Sequence, residues 1–219
     1  MSSETKELAE PLATATQSGI LFVVSSPSGG GKGTLIQRVL SRLQNLSYSV
    51  SYTTRKPRNG EVNGREYFFV TPEQFSQMVG RNDFLEWANV HGHLYGTSRR
   101  QVARDVSLGR DIVLEVDVQG AASIRNLIQE AVSVFILPPS LEVLRERLIA
   151  RGTDSAEELA VRLRNAPEEL KAYQTFDYVI INDDVEQAAS KLMAIIEAER
   201  LRLSRQEEKI RGVVESFLL

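Results

Sequence analysis

The sequence predicts an α/β fold in which a mainly parallel sheet carries helices on both faces. Apolar, β-branched runs alternate with segments of helical periodicity along most of the 219 residues, and this alternation is typical of parallel sheets with crossover helices. The first such run leads through a glycine-rich segment into a helical pattern. A hydrophobic content of 42% at this length favours one core with inserted lobes over two ordinary domains.

The first strand and helix enclose the most informative motif. Residues 20–24 are an apolar strand-like run, and helical spacing extends from Leu35 to about Asn45. The segment between them, residues 25–34, reads Ser-Ser-Pro-Ser-Gly-Gly-Gly-Lys-Gly-Thr. Glycines let several backbone N–H groups converge on one anion at the positive end of a helix. Lys32 adds a full charge, which an ordinary glycine-rich turn does not need.

This segment fits the Walker A phosphate loop with two departures. Ser26 stands where the first glycine is usual, which is tolerated if the backbone there suits a non-glycine residue. Gly33 stands where Ser or Thr is usual, so Thr34 must supply any hydroxyl near a metal ion. The expected nucleotide-binding residues of the loop are Ser28, Gly29, Gly30, Gly31, Lys32, Gly33 and Thr34.

The later elements follow in order. A short strand is expected at 48–52, a basic turn at 55–60, a strand at 67–70, a helix capped by Thr71 with Pro72 in its first turn, and a strand at 84–90. The alternation then resumes with a helix from Ser98, a strand at 111–116, a helix from Gln119, a strand at 132–137, a helix from Ser140, a polar helix to Tyr173, a strand at 178–181 and a long final helix. Residues after about Leu203 predict a charged helix that is peripheral or contacts another copy.

Composition narrows the classes of partner and site. A net charge of −3 gives no overall basic field for nucleic acid or a membrane surface. The chain has no cysteine, which removes disulfides, thiol nucleophiles and cysteine-based zinc sites. His91 and His93 lack an evident third ligand and are expected to be ordinary loop or strand residues. No run suggests a signal peptide or membrane span, so we expect a cytoplasmic protein.

Several segments together resemble the guanylate kinases. Residues 51–67 read Ser-Tyr-Thr-Thr-Arg-Lys-Pro-Arg-Asn-Gly-Glu-Val-Asn-Gly-Arg-Glu-Tyr. Further matching pieces are Phe-Leu-Glu-Trp-Ala at 84–88, Tyr-Gly-Thr at 95–97, Asp-Val-Gln-Gly at 117–120, Pro-Pro-Ser at 138–140, Arg-Gly-Thr at 151–153 and Ile-Asn-Asp-Asp at 181–184. The resemblance runs from about residue 19 to 200, and the segment around Thr53-Thr54-Arg55 is its most specific part.

The resemblance implies a P-loop nucleoside-monophosphate kinase fold and the ATP-dependent phosphorylation of GMP, and of dGMP if the ribose is not read, to GDP. It implies a tail at 1–18, a kinase domain at 19–203 and a helical extension at 204–219. Within the domain it implies a small mixed GMP-binding lobe at 53–97 and a helical lid at 141–171. The implied partners are the small molecules GMP and ATP with Mg²⁺, and a homo-oligomer is left open.

The implied substrate contacts agree with the chemistry of GMP. Guanine presents N1–H and N2–H₂ as adjacent donors, so one carboxylate, Glu86, can accept both, whereas adenine has an acceptor at N1. Ser51 and Thr97 can bond the remaining polar edge of the base. Asp117 follows an apolar strand where the family has a carboxylate near the substrate. For the phosphate, the expected residues are Arg55, Arg58, Tyr67 and Tyr95.

On the donor side, the resemblance implies that lid arginines close over the ATP phosphates. The residues expected to act in transfer are Lys32, Arg58, Arg147, Arg151 and Arg162, with Thr34 beside the metal and Asn182 on the adenine side. Phosphoryl transfer needs no general base, because alignment and charge neutralisation lower its barrier. Each arginine alone also fits an exposed, salt-bridged surface residue, and Asp183 and Asp184 equally fit a helix cap.

Two other functions compete with this interpretation. One is a binding module that has lost turnover and holds phosphorylated peptide in the monophosphate lobe, although such a module has no need of Lys32, the glycine loop or lid arginines. The other is a monophosphate kinase with a different base preference. Glu86, Ser51 and Thr97 argue against that preference, because a mismatched base leaves buried polar groups unpaired.

Overall fold

The computed structural model describes residues 18–90, 92–152 and 155–218, without the side chain of Arg151. The predicted tail at 1–18 therefore lies almost wholly outside the described residues, as does His91.

The described residues form nine strands and eight α-helices. The strands are β1 Leu21–Ser25, β2 Leu46–Tyr48, β3 Tyr52–Thr53, β4 Phe68–Phe69, β5 Phe84–Val90, β6 His93–Ser98, β7 Asp111–Glu115, β8 Val132–Leu137 and β9 Tyr178–Ile181. The helices are α1 Lys32–Leu40, α2 Pro72–Gly80, α3 Arg99–Ser107, α4 Val118–Leu127, α5 Leu141–Arg151, α6 Ala156–Lys171, α7 Val185–Arg200 and α8 Leu203–Ser216. A short 3-10 turn, Ala172–Thr175, follows α6.

The main sheet is parallel and confirms the predicted fold class. Its strand order is β2-β7-β1-β8-β9, with every neighbouring pair parallel. β1 is buried along its whole length because both faces of the sheet are covered. Phe22 and Val24 face the core beneath α1 and α7, and Leu21 and Val23 face the core that includes Ile124 of α4.

A second, four-stranded sheet forms the smaller lobe. Its order is β4-β3-β6-β5, with β3 and β4 parallel and the other two pairs antiparallel. From Glu86 onward the side chains alternate across β5, so that Glu86 is buried whereas Trp87 remains 49% exposed. Phe75 of α2 is buried in this lobe and meets Trp87 edge-on at 6.4 Å between ring centroids.

The predicted strand at 48–52 is wrong as one element. Tyr48 ends β2 in the main sheet and Tyr52 begins β3 in the second sheet. The backbone N–H of Ser49 still bonds to Val113 of β7, and the carbonyl of Ser51 already bonds to Phe68 of β4. The alternating pattern is continuous in sequence, but its hydrogen-bond partners change within three residues, so these residues connect the two sheets.

Other boundaries differ by a few residues. α1 begins at Lys32 rather than Leu35 and ends at Leu40 rather than near Asn45, which has a positive φ of 58°. The long final helix is broken at Leu201 and Arg202 into α7 and α8. The predicted cap at Thr71 is confirmed, since its side chain accepts from the Gln74 N–H in a capping box.

Helices α5 and α6 pack on each other beside the main sheet. Leu144 and Leu148 of α5 and Ala166 of α6 form a small core of their own. The N-terminus of α5 is capped by Ser140, and that of α6 by Ser155 in a capping box. Within the described residues, no helix is long and apolar enough to cross a membrane.

Candidate active site

One cavity of about 720 Å³ lies between the carboxyl ends of the main strands, the second sheet and the helices α5 and α6. This is the edge at which ligands bind in open α/β sheets. The predicted residues that line it are Ser28, Gly29, Gly30, Gly31, Lys32, Gly33, Thr34, Ser51, Arg55, Arg58, Tyr67, Glu86, Tyr95, Asp117, Arg147, Arg162 and Asn182. The side chain of Arg151 lies outside the description, so its predicted role stays a prediction.

The phosphate loop has the backbone that the sequence predicts. Gly29 and Gly31 have φ values of 90° and 91°, which L-residues rarely adopt. Ser26 has no positive φ, which confirms that a non-glycine residue suits this position. Its side chain occupies the space beside Gly30, where an added Cβ would lie 2.8 Å from the Ser26 Oγ. The loop therefore presents its N–H groups and the start of α1 to the cavity.

Asn182 and Arg147 hold the loop from the other side. The Asn182 Nδ2 donates to the Gly30 carbonyl at 3.0 Å, and the Arg147 Nη2 donates to the Asn182 carbonyl at 2.8 Å. The Arg147 Nη1 is buried and has no hydrogen-bond partner among the described residues. It would lie 3.8 Å from a Cβ built on Gly31. A buried cationic donor facing a glycine cradle fits the phosphates of ATP.

Helix α6 reaches the same loop. The Arg162 Nη1 bonds to the Ser28 Oγ, and the Ser28 backbone N–H donates to the Glu169 Oε2 at 2.9 Å. The sequence predicted Arg162 but not Glu169, which reads as one of several acidic residues in a polar helix. Helix α6 therefore contacts the loop through a cation and an anion.

Glu86 lies in the wall formed by the second sheet. It is 8% exposed, and the Thr97 Oγ1 donates to its Oε1 at 2.6 Å. The pKa of Glu86 is raised to about 7, mainly by burial. The hydrogen bonds from Thr97 lower this pKa, and the negative charge of Asp117 raises it. A carboxylate so placed can accept two adjacent donors from a base.

Thr97 lies directly beside Glu86. It is 1% exposed and is not among the cavity-lining residues, and its hydroxyl donates to Glu86. The two residues are paired across β5 and β6, which places the hydroxyl behind the carboxylate. In this structure Thr97 therefore orients Glu86 and its predicted base contact stays a prediction, whereas Ser51 lines the cavity.

Asp117 caps α4 as well as lining the cavity. Its Oδ1 accepts the N–H of Gly120 at 2.9 Å, which satisfies one of the free donors at the start of the helix. The cap fixes the first turn of α4 beside Glu86. The sequence placed Asp117 near the substrate, but it did not identify this structural role.

Arg55 is already paired. Its Nη1 and Nη2 donate to the two oxygens of Glu61 at 2.9 and 2.8 Å, and its Nε donates to the Tyr95 hydroxyl at 3.2 Å. Its guanidinium also lies over the Tyr67 ring, 5.4 Å from the centroid. The Glu61 carboxylate offers the same paired acceptors as a phosphate, and the predicted phosphate contact of Arg55 stays a prediction.

Glu61 is one of the site residues that sequence reasoning missed. Besides pairing with Arg55, it accepts the backbone N–H of Arg58 at 2.7 Å. Burial alone would raise the pKa of Glu61, but these hydrogen bonds outweigh burial and hold the pKa below its usual range. It lies six residues after Arg55 in a turn, and only the folded turn reveals the pair.

Glu115 was also missed. It ends β7, lines the cavity and accepts the Tyr48 hydroxyl at 3.1 Å. Burial raises the pKa of Tyr48, and the charge of Glu115 raises it further. The available signal was an acidic residue at the end of an apolar strand, two positions before Asp117.

The cavity also fits a hard divalent cation. Thr34, Glu115 and Asp117 offer oxygen atoms to it, and Mg²⁺ prefers oxygen ligands and commonly keeps several waters. Within the described ranges, no group of three or more His, Asp or Glu residues could hold a metal ion alone. The donor set therefore suits an ion that arrives with nucleotide phosphates.

Comparisons with known proteins agree with this geometry. The guanylate kinase family model matches residues 18–199. A guanylate kinase of Caldanaerobacter subterraneus subsp. tengcongensis is 46% identical over 190 residues, covering 87% of this chain and 92% of the relative. One from Salmonella typhimurium is 47% identical over 202 residues, covering 91% and 98%.

A solved structure of a guanylate kinase has a similar fold. The crystal structure of guanylate kinase from Anaplasma phagocytophilum superimposes with a TM-score of 0.74 at 34% identity. The superposition covers 86% of this chain and 90% of that one. With the family model covering most of the sequence and the cavity combining a phosphate loop with a buried carboxylate, the chain belongs to the guanylate kinase family.

Proposed function

We propose that this chain transfers the terminal phosphoryl group of ATP to GMP, giving GDP in purine nucleotide metabolism. The single observation that supports this most strongly is that one cavity contains both the phosphate loop and the buried Glu86. The loop suits a triphosphate, and the carboxylate suits the two adjacent donors of guanine. The curated relatives named guanylate kinase support the same reaction.

On the acceptor side, the base and the phosphate of GMP use different groups. Glu86 accepts the guanine N1–H and N2–H, held in orientation by Thr97, and Ser51 bonds another polar edge atom. Arg58 and Tyr67 line the cavity where the monophosphate fits. Arg55 contributes its charge from the same turn while Glu61 and Tyr95 fix its guanidinium.

On the donor side, Lys32 and the loop N–H groups bind the ATP phosphates. Arg147, Arg151 and Arg162 neutralise charge that develops on the transferring group, and Asn182 lies on the adenine side. Mg²⁺ supplies further charge neutralisation when bound, with Thr34 and Glu115 as the oxygen donors that would hold its hydrated shell. The nucleophile is the phosphate oxygen of GMP, so the protein aligns the two groups without a general base.

The division into parts belongs to the same proposal. Residues 53–97 bind GMP, 141–171 act as a lid, 19–203 form the catalytic domain and 204–219 are a helical extension. We also propose that the protein works in the cytoplasm on small molecules, with no nucleic-acid or membrane partner. Acceptance of dGMP follows if no residue reads the ribose 2′-hydroxyl.

A binding module without turnover is the second candidate. It would need the monophosphate lobe alone, whereas this cavity also contains a glycine cradle and a buried arginine donor with no partner among the described residues. Burying a cationic donor costs free energy unless an anion accepts its hydrogen bond. That observation favours the enzyme.

A coupled assay of ADP release with MgATP tests the reaction and the base preference. GMP, AMP, CMP and UMP are compared at equal concentration, followed by dGMP. We expect turnover with GMP and little with the other three, because only guanine offers two adjacent donors to Glu86. Binding of GMP without any ADP release would instead identify a module, and equal rates with AMP would contradict the base assignment.

Substitution Lys32→Met tests the separation of the two phosphate sites. We expect kcat to fall by about a hundredfold or more, since a charge on the transferring phosphates is lost in a water-excluded site. GMP binding, measured by calorimetry, should stay within about twofold because its contacts lie in the second sheet. An equal loss of GMP affinity would show that the two sites are not separate.

A further inference from the structure

Gly120 occupies a helical position next to the base-reading carboxylate. It is the third residue of α4, and its N–H is bonded to the capping Asp117 at 2.9 Å. A Cβ built on Gly120 would lie 2.7 Å from the Glu86 Oε2 and 3.2 Å from the Glu86 Cδ. The 2.7 Å distance is shorter than real Cβ contacts, so any other residue at this position requires the Glu86 carboxylate to shift.

The backbone does not explain the glycine. Gly120 has ordinary helical geometry and no positive φ, and a glycine inside a helix costs about 1 kcal/mol relative to alanine. A residue type that destabilises a helix therefore stands at a position where a Cβ would contact one particular group. That group is the carboxylate expected to contact the base.

Glu86 has little freedom to move away. Its Oε1 is held by the Thr97 hydroxyl at 2.6 Å, and its strand is paired with β6 at that position. The side chain is 8% exposed, so neighbouring atoms enclose it. A methyl group on α4 would then rotate or displace the carboxylate, because Thr97 holds one of its oxygens and the Asp117 cap holds the first turn of α4.

We propose that Gly120 is a positioning residue that sets the carboxylate of Glu86 for two-point reading of guanine, and that it thereby determines selectivity against purines without a 2-amino group. This inference rests on the proposed function, since it concerns the same base site. Two adjacent N–H donors need both carboxylate oxygens in the plane of the base. IMP carries hypoxanthine, which keeps the N1–H but has no 2-amino group. A comparison of GMP with IMP therefore measures the contact to the 2-amino group alone.

The experiment compares Gly120→Ala with the wild-type protein using GMP and IMP. We expect KM for GMP to rise about tenfold, the size expected for one hydrogen bond to a charged group. KM for ATP should stay within about twofold, and the GMP-to-IMP ratio of kcat/KM should fall about tenfold. A merely structural defect would instead affect both substrates and leave the ratio unchanged.

Gly212→Ala is the matched control. Gly212 also lies inside a helix, α8, and no described atom lies within 4 Å of a Cβ built there. The same glycine-to-alanine change should leave all kinetic constants at their wild-type values. An equal loss of GMP preference in both variants would overturn the inference.

A double-mutant cycle with Glu86→Asp tests the contact itself. The shorter aspartate withdraws its carboxylate by one methylene, so adding Gly120→Ala in that background should change KM for GMP by less than twofold. If Gly120→Ala fails to fold, recovery of folding in the double variant supports the contact, and no recovery overturns it. Independent effects of the two substitutions overturn it as well.

The outcomes separate this inference from the function on which it rests. Wild-type GMP and IMP kinetics in Gly120→Ala, with loss of selectivity in Glu86→Gln, overturn only the role of Gly120. Unchanged GMP kinetics in Glu86→Gln overturn the base assignment itself.

Discussion

The protonation state of Glu86 links its burial to substrate use. Removing a carboxylate from water disfavours its charged form, and burial is the main reason that the pKa of Glu86 rises to about 7. The folded protein therefore binds this proton more tightly than the unfolded chain does. The resulting contribution to stability is present below the ordinary carboxylate pKa near 4.5 and is lost as the pH rises through 7.

The same shift predicts a pH dependence of GMP use. Only the ionised carboxylate accepts both guanine donors, so kcat/KM for GMP should fall about tenfold for each pH unit below 7. Because the phosphate of GMP also titrates near pH 6, the informative quantity is the ratio of wild type to Glu86→Gln. The amide in Glu86→Gln cannot titrate, so the pH profile of that variant should follow the titration of the GMP phosphate alone. A ratio that stays constant from pH 5.5 to 8 would contradict the assignment.

At the scale of residues, local signals predicted the phosphate loop and the basic turn, whereas the resemblance implied most of the other cavity residues. The glycines and Lys32 are adjacent in sequence, so their chemistry is visible without a fold. The role of Thr97 depends on the register of β5 against β6, which places its hydroxyl behind Glu86. Glu61 and Glu115 were missed for the same reason, because their partners are set by folding.

The start of helix α7 explains Asp184, which the sequence left open between the adenine side of the site and a helix cap. Asp184 accepts the N–H groups of Glu186 and Gln187 at 3.0 and 2.8 Å and so caps the helix. Ala188, Leu192 and Ile196 of the same helix are buried in the main core. The side chain of Asp184 thus stabilises the start of a helix that covers one face of the sheet.

Asp184→Ala should lower the free energy of unfolding by about 1 kcal/mol, as expected for loss of an N-cap. KM for ATP should not change, because the cap lies outside the cavity lining. Asp184→Asn is the matched control, since asparagine caps about as well as aspartate. Chemical denaturation followed by circular dichroism measures both variants, and equal stability of the alanine variant and wild type would exclude the capping role.

The boundary between the two sheets was the least predictable element. The segment from Tyr48 to Tyr52 has the alternation of one strand, yet it contributes to two sheets. Alternation reports that a segment is extended, but not which neighbours complete its hydrogen bonds. Strands β8 and β9 were easier to predict, because their apolar runs at 132–137 and 178–181 coincide with complete strands.

The second sheet and the helices α5 and α6 are separate parts that border one cavity. The second sheet is connected to the main sheet through the short segment around Val50, but Leu85 of β5 belongs to a core of the main sheet, whereas α5 and α6 have a small core of their own. A part with its own core can move as a unit around short connections. The alternation of the sequence predicted the parallel main sheet, whereas the resemblance implied the lobe and the lid, and the strand order was not predicted.

This arrangement predicts closure when both nucleotides bind. Water must be excluded from the transferring phosphoryl group, and helix α6 of the proposed lid contacts the loop through Arg162 and Glu169. We expect small-angle scattering to give a smaller radius of gyration with GMP and a non-transferable ATP analogue together than with neither. GMP alone should give an intermediate value. Identical profiles in all three states would contradict closure.

The outward position of Trp87 makes the molecule its own optical reporter. It is the single tryptophan of the chain, adjacent in sequence to Glu86 but half-exposed on the opposite side of β5. Its indole therefore lies close to Glu86, although Trp87 itself does not line the cavity. The fluorescence of that one ring therefore reports on the second sheet in real time, without a label and without a substitution in the proposed base site.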